Sequence, residues 1–251
     1  MKKRRWFSLF LSFALLLPLF SLTSADAYED FTLDAKAGLL IEADTGEILY
    51  EKNAHQENFP ASLTKVMVAL LVFEAIDEGK IALTDSVTAT ESAFEGLSSD
   101  GSTANIVPGE TMTVEQLLNC MLIVSANEAC NILGETLYGS VDAFVARMNE
   151  RAAELGCEHT HFANATGLHN SQHYTTAWDL YLITREALKH DKFMEICNSK
   201  SYPVPATNMT DKPRELHSTN FLISNWRARG YVYRDAQGIK TGSTPEAGYC
   251  L

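Results

Sequence analysis

The chain has 251 residues, 46% of them hydrophobic and 21% charged, with 20 Lys and Arg against 32 Asp and Glu for a formal net charge of −12. A chain of this length buries a sizeable core in one large domain or two small ones. The acidic balance excludes nucleic acid as a partner, because phosphate contacts need a basic surface.

The first residues carry their own pattern. Lys2-Lys3-Arg4-Arg5 precedes an apolar run from Trp6 to about Phe20, and Ala25-Asp26-Ala27 follows. A basic start, an apolar middle and a small-x-small end read as a secretory signal peptide over residues 1–27, so the chain is expected to be exported, in the cell envelope or secreted. The run is short for a membrane span of ~20 residues. Removing its four Lys and Arg and its one Asp leaves 224 residues with a net charge of −15. No linker rich in Gly, Ser or Pro divides residues 28–251, which are read as one domain.

Ala37 to Ala43 is a strand candidate, Asp44-Thr45-Gly46 a turn, and Glu47 to Lys52 the returning strand. Pro60 then stands just ahead of a helix that runs to about Glu78 and stops at Gly79. This helix is apolar almost all round, as a buried helix is. Thr84 to Ser99 is polar and reads as irregular or short-strand cover. After the turn Pro108-Gly109-Glu110, Thr113 and Gln116 form a capping box for a helix carrying Leu117, Leu118, Met121 and Leu122.

That helix breaks at Ser125-Ala126-Asn127, and a second one runs to Tyr138. Another spans about Asp142 to Leu155, and Phe162 to Tyr174 is loop. A further helix begins at Thr176 and ends near Lys189. Beyond Ser201 the chain reads as strands: Tyr202 to Pro205, Phe221 to Ile223, Tyr231 to Tyr233 and Gly238 to Gly242. Strands, then helices, then strands predict an α+β fold, an antiparallel sheet flanked by a helical cluster. Cys120, Cys130, Cys157, Cys197 and Cys250 contain no CxxC, and their spacing requires no disulfide; they read as small buried hydrophobes.

Three short motifs carry chemistry. In Ser62-x-x-Lys65, positions i and i+3 of a helix share a face, so hydroxyl and amine can meet. A lysine at the buried end of an apolar helix is costly without a task or a partner. Ser62 is therefore the candidate nucleophile and Lys65 its base. Ser125-Ala126-Asn127 interrupts an apolar helical stretch, although Ser218-Thr219-Asn220 has the same Ser-x-Asn form, and turn or cap chemistry is the plainer use of either. Lys240-Thr241-Gly242 offers a cation, a hydroxyl and bare backbone in a row, which suits a carboxylate-ended peptide laid along a strand.

Together, in this order, the three form the set of class A β-lactamases and penicillin-binding proteins. With Ala43 to Gly46, Pro60 to Lys65, Ser125 to Ala129, His173 to Ala177 and Gly238 to Gly242, the chain resembles the serine-type D-Ala-D-Ala carboxypeptidases, low-molecular-mass penicillin-binding proteins of peptidase family S11. The resemblance runs from about Phe31 to Leu251. It implies a β-lactamase/transpeptidase-like fold and removal of the terminal D-alanine from peptidoglycan stem peptides, with β-lactams as covalent inhibitors and no metal or other cofactor.

It also implies roles. Ser62 forms the acyl-enzyme, and Lys65 takes its proton, its pKa lowered by burial and by Lys240 nearby. Ser125 passes a proton to the departing amine, and Asn127 holds the substrate amide. Lys240 and Thr241 bind the terminal carboxylate, with Gly242 letting the substrate approach. The N–H groups of Ser62 and Ser243 form the oxyanion hole.

A β-lactamase of class A needs a Glu-x-x-x-Asn between the second and third motifs, and none occurs there. The histidines at 159, 161, 169 and 173 suggest zinc by spacing, but they fall in a loop. A penicillin-recognising sensor or wall-binding module is the non-catalytic alternative. The chain stops eleven residues past Lys240, whereas the resemblance implies more strands, a packing helix and a C-terminal membrane anchor. A C-terminally incomplete domain of reduced stability is therefore expected, with an exposed edge beside Lys240.

Overall fold

The computed structural model describes residues 32–251; the signal-peptide reading of residues 1–27 lies outside them. The compact body is Lys36–Leu251. Its elements follow in order: β1 (Gly38–Ile41), β2 (Ile48–Lys52), a 3₁₀ turn (Ala61–Thr64), α1 (Lys65–Asp77), β3 (Ser86–Thr88), a second 3₁₀ turn (Ser92–Phe94) and β4 (Thr111–Thr113). Then come α2 (Val114–Ile123), α3 (Asn127–Tyr138), α4 (Val141–Glu154), α5 (Ala177–Ala187), α6 (Asp191–Cys197), β5 (Ser201–Val204), β6 (Arg214–His217), β7 (Gly242–Thr244) and β8 (Gly248–Cys250).

The α+β class is as expected. The strands pair antiparallel as β1-β2, β3-β4, β5-β6 and β7-β8, each a two-stranded sheet, so no ladder among the described residues joins the early hairpin to the late strands.

Helix α1 is the axis of the core. From Lys65 to Phe73 every side chain is buried, and Ala75 as well. A helix with no polar stripe must be covered on all sides, and α1 packs against α5, α3, α2 and α4. Each large apolar side chain buried this way contributes about 1.5–3 kcal/mol, so α1 is an unyielding base for whatever its first turn presents. Where α1 turns polar, Glu74 forms a two-pronged ion pair with Arg151 of α4. Gly134 of α3 faces Phe144 of α4 so closely that any Cβ there would collide with the ring.

Helix starts follow the sequence. Thr113 and Gln116 form both halves of the capping box on α2. Ser140 caps α4 and Thr176 caps α5 through their hydroxyls, each satisfying an N–H that the helix leaves unpaired.

The structure corrects several strand expectations. Phe221 to Ile223 forms a turn, and Tyr231 to Tyr233 is irregular, exposed chain. Lys240 sits in irregular backbone ahead of β7 rather than in a strand, and β7 has β8 as its neighbour through Gly242↔Cys250. The short strands β4, β6 and β8 and the helix α6 went unassigned. Strand β6 buries only Leu216, and α6 is a seven-residue helix whose buried Phe193, Ile196 and Cys197 are too few to register as a period. All five cysteines are free thiols, four of them buried, in keeping with their reading as small hydrophobes.

Candidate active site

Ser62 and Lys65 sit on a tight turn. Ala61–Thr64 is 3₁₀ and passes into α1 at Lys65. In a 3₁₀ turn positions i and i+3 eclipse, which aligns the two side chains better than an α-helix would. Lys65 Nζ lies 3.0 Å from Ser62 Oγ, 2.8 Å from Asn127 Oδ1 and 2.6 Å from the Thr166 carbonyl oxygen. The Lys65 side chain is completely buried.

These three partners differ in kind. The Asn127 and Thr166 oxygens can only accept, whereas the Ser62 hydroxyl can also donate. A neutral lysine has two N–H bonds and one lone pair. With both N–H bonds directed at the obligate acceptors, the lone pair is left for the Ser62 proton. Burial drives the Lys65 pKa down, opposed by the nearby Cys130 and Glu128. The expected contribution of Lys240 to Lys65 is not among these causes; the influence is seen in the other direction. Lys240 is itself buried, and burial followed by the charge of Lys65 lowers its pKa to about 7.

Ser125 lies between α2 and α3 with φ at +66°, a conformation that costs a non-glycine residue about 1–3 kcal/mol. Its hydroxyl oxygen is buried and has no hydrogen-bond partner among the described residues. Asn127 opens α3, its amide donating to the Ser102 carbonyl. A Cβ at Gly101 would come within 2.7 Å of the Asn127 side-chain nitrogen, so this stretch lies directly against the second motif. Glu128 fixes the stretch by accepting from Thr103 Oγ1 and from the Ala104 amide.

The third motif arrives from the far end of the chain. Lys240 Nζ donates to the Thr241 carbonyl at 2.7 Å, and the Thr241 hydroxyl pairs with that of Thr219 at 2.7 Å. Gly242 packs on the 3₁₀ turn, where a Cβ would sit 2.9 Å from Ser62 N. Ser243 is exposed on β7. Thus Lys65 gathers Ser62 and Asn127 directly, Gly242 borders Ser62, and Lys240 lies within electrostatic reach. Ser125 lies two residues ahead of Asn127 in the chain, its hydroxyl uncommitted among the described residues.

Sequence reasoning missed the loop between α4 and α5. Thr166 offers a main-chain carbonyl, which no side-chain pattern announces. Gly167, at φ +85°, lies so near the Ala61–Ser62 peptide that a Cβ would collide with the Ala61 carbonyl. The clue was Asn164-Ala165-Thr166-Gly167, in which Asn164 Oδ1 accepts from both the Thr166 and Gly167 amides to form the turn.

The histidines are engaged one by one. His159 faces Glu57 at 3.3 Å, His161 bonds to the Gln172 carbonyl, and His169 stands edge-on to Phe59. Among the described residues no group of three or more His, Cys, Asp and Glu is placed to hold a metal ion. Two open surface hollows around Lys80 to Asp85 share no residue with the cluster at Ser62.

The family model for D-alanyl-D-alanine carboxypeptidase, Peptidase_S11, matches residues 23–251. The chain is 40% identical over 218 residues to the D-alanyl-D-alanine carboxypeptidase DacF of Bacillus subtilis (strain 168), covering 87% of this chain and 53% of that protein. It is 31% identical over 240 residues to the D-alanyl-D-alanine carboxypeptidase of Streptomyces sp. (strain K15), covering 91% of this chain and 79% of the relative. The crystal structure of the Streptomyces K15 DD-transpeptidase superimposes with a TM-score of 0.78 at 31% identity, over 89% of this chain and 86% of that one. The chain spans about half the length of DacF.

Proposed function

The chain belongs to the D-alanyl-D-alanine carboxypeptidase family, and on that premise we propose that it is a serine D,D-carboxypeptidase acting on peptidoglycan stem peptides that end in D-Ala-D-Ala. The observation that carries the reading is the buried Lys65 amine, 3.0 Å from Ser62 Oγ and held by two obligate acceptors.

Neutral Lys65 takes the Ser62 proton as Oγ attacks the carbonyl of the penultimate D-alanine. Negative charge develops on that carbonyl oxygen, where the Ser62 and Ser243 N–H groups receive it, each donor worth about 3–4 kcal/mol in comparable sites. The uncommitted Ser125 hydroxyl relays a proton to the departing D-alanine amine. Asn127, already oriented by Lys65, presents its amide to the substrate backbone. Lys240, in its cationic form, exchanges its bond to the Thr241 carbonyl for the terminal carboxylate, and Thr241 adds a hydroxyl. Water then releases the acyl group.

A β-lactam presents a carboxylate and an amide in the place of the peptide bond, the amide strained by its four-membered ring, so it acylates Ser62 and the acyl group leaves slowly. Action outside the cytoplasm belongs to the same proposal and is supported by the leader-like residues 1–27. The test pairs fluorescent-penicillin labelling with D-alanine release from a pentapeptide, comparing wild type with Ser62→Ala. We expect both signals in the wild type and neither in the variant. Labelling that persists without Ser62 sinks the assignment of the nucleophile. Intact labelling with no D-alanine release makes the chain a penicillin sensor instead.

A further inference from the structure

One buried group beneath the nucleophile has no part in the mechanism above. His173 lies in the loop before α5, 2% exposed. Its Nε2 is 2.7 Å from Thr64 Oγ1, and its Nδ1 is 3.1 Å from the Ala163 amide nitrogen. A backbone N–H only donates, so Nδ1 accepts and the ring proton resides on Nε2. Thr64 Oγ1 gives its single proton to the Ala61 carbonyl at 2.8 Å, which leaves its oxygen to accept from His173. The bonds therefore run one way, from Ala163 through His173 and Thr64 to the Ala61 carbonyl.

That carbonyl shares a planar peptide unit with the Ser62 N–H, and in a trans peptide the two point in opposite directions. Drawing the carbonyl inward toward Thr64 turns the N–H outward toward the cleft. The plane needs holding, because Ala61 sits at φ +48°, where a side chain is strained. Gly167 closes against the same carbonyl.

Resting on the proposed carboxypeptidase reading, we propose that His173 is a positioning residue: as a neutral imidazole acting through Thr64, it holds the Ala61–Ser62 peptide so that the Ser62 N–H meets the developing oxyanion. A protonated ring would turn a second donor on the Ala163 N–H and break the chain at its first link. The surroundings keep the ring neutral. Burial first, then His161, Lys65 and His169, lower its pKa to about 4, and none of those three neighbours is anionic.

The experiment is acylation by a fluorescent penicillin at saturating concentrations, with the active fraction titrated for each variant. Glutamine can both donate to Thr64 and accept from Ala163, whereas leucine can do neither. We expect His173→Gln to keep the acylation rate per active site within about threefold, and His173→Leu and Thr64→Val each to lower it about ten- to a hundredfold, the scale of a displaced catalytic group. The double variant should cost little more than either single one, since both break one chain. Below pH 5 the wild-type rate should fall more steeply than that of His173→Gln.

A purely structural histidine would reduce the active fraction and leave the rate per active site unchanged, and that result overturns the proposal. If His173→Leu does not fold, Thr64→Val decides: an unchanged rate in that variant, or additive losses in the double variant, also overturns it. Absence of Ser62-dependent labelling in the wild type would instead count against the proposed function itself.

Discussion

Two tripeptides of the same Ser-x-Asn form lie in this chain, and the structure treats them oppositely. In Ser218-Thr219-Asn220 every side chain is hydrogen-bonded. Ser218 Oγ accepts from the Asn220 amide, Asn220 Nδ2 donates to the Gly238 carbonyl, and Asn220 Oδ1 accepts from the Leu222 amide. In Ser125-Ala126-Asn127 the serine backbone is strained and its hydroxyl is buried without a partner among the described residues, while the asparagine is turned to a buried lysine. A satisfied polar turn stabilises; an unsatisfied one in the same sort of burial is kept for something else. The first tripeptide also serves the third motif, since Thr219 pairs with Thr241 and Asn220 holds the backbone just before Lys240.

Substitutions sharpen this contrast. Ser125→Ala should lower D-alanine release about a hundred- to a thousandfold, as loss of a proton relay does. Its melting temperature should stay level or rise, because an unpaired buried hydroxyl is removed. A variant that melts well below wild type would return Ser125 to the structural class.

Asn220→Ala should behave the other way. Two buried bonds are lost and the Gly238 carbonyl is left unsatisfied, so we expect about 2–3 kcal/mol of destabilisation by denaturant titration, with the acylation rate per active site little changed. Ser218→Ala, which loses one local bond, should cost only about 1 kcal/mol.

The pH dependence of the third motif separates binding from chemistry. The folded Lys240 gives up its proton near pH 7, whereas the unfolded chain holds it to about 10.5. Between those values the unfolded state binds more protons, so this group makes the fold more stable as pH rises. On the proposed role of Lys240, binding moves oppositely: the apparent affinity for a carboxylate-ended peptide should weaken about tenfold from pH 6 to pH 9, the loss expected when a charged hydrogen bond turns neutral. Lys240→Met should flatten that profile, and a profile that keeps its slope would relocate carboxylate binding elsewhere.

The sequence made the helices legible where a cap and an apolar run agree, as at Thr113 with Gln116 and at Thr176. Aromatic residues misled it. Phe221 and Tyr231 to Tyr233 have high β-propensity, yet their segment pairs with no strand among the described residues, and propensity counts only on a packed, pleated surface. Ser62, Lys65, Asn127 and Lys240 were readable because their chemistry lies in side chains. The Thr166 carbonyl, the bare Gly167 and the link from Thr64 to His173 were not, because a main-chain acceptor or a missing Cβ becomes functional only through what the fold sets beside it.

The bonds of Lys65 have a kinetic consequence. They reach Asn127 and Thr166 across 62 and 101 positions of chain. Contacts this distant are made only after long loops have closed, and all-or-none assembly follows from them. A partly folded chain would carry Ser62 on its turn but lack the two acceptors that hold Lys65 in the geometry of the proposed base. Penicillin labelling therefore reports more than catalysis: followed during refolding, it should lag the recovery of helical circular dichroism and mark the moment the last loop docks.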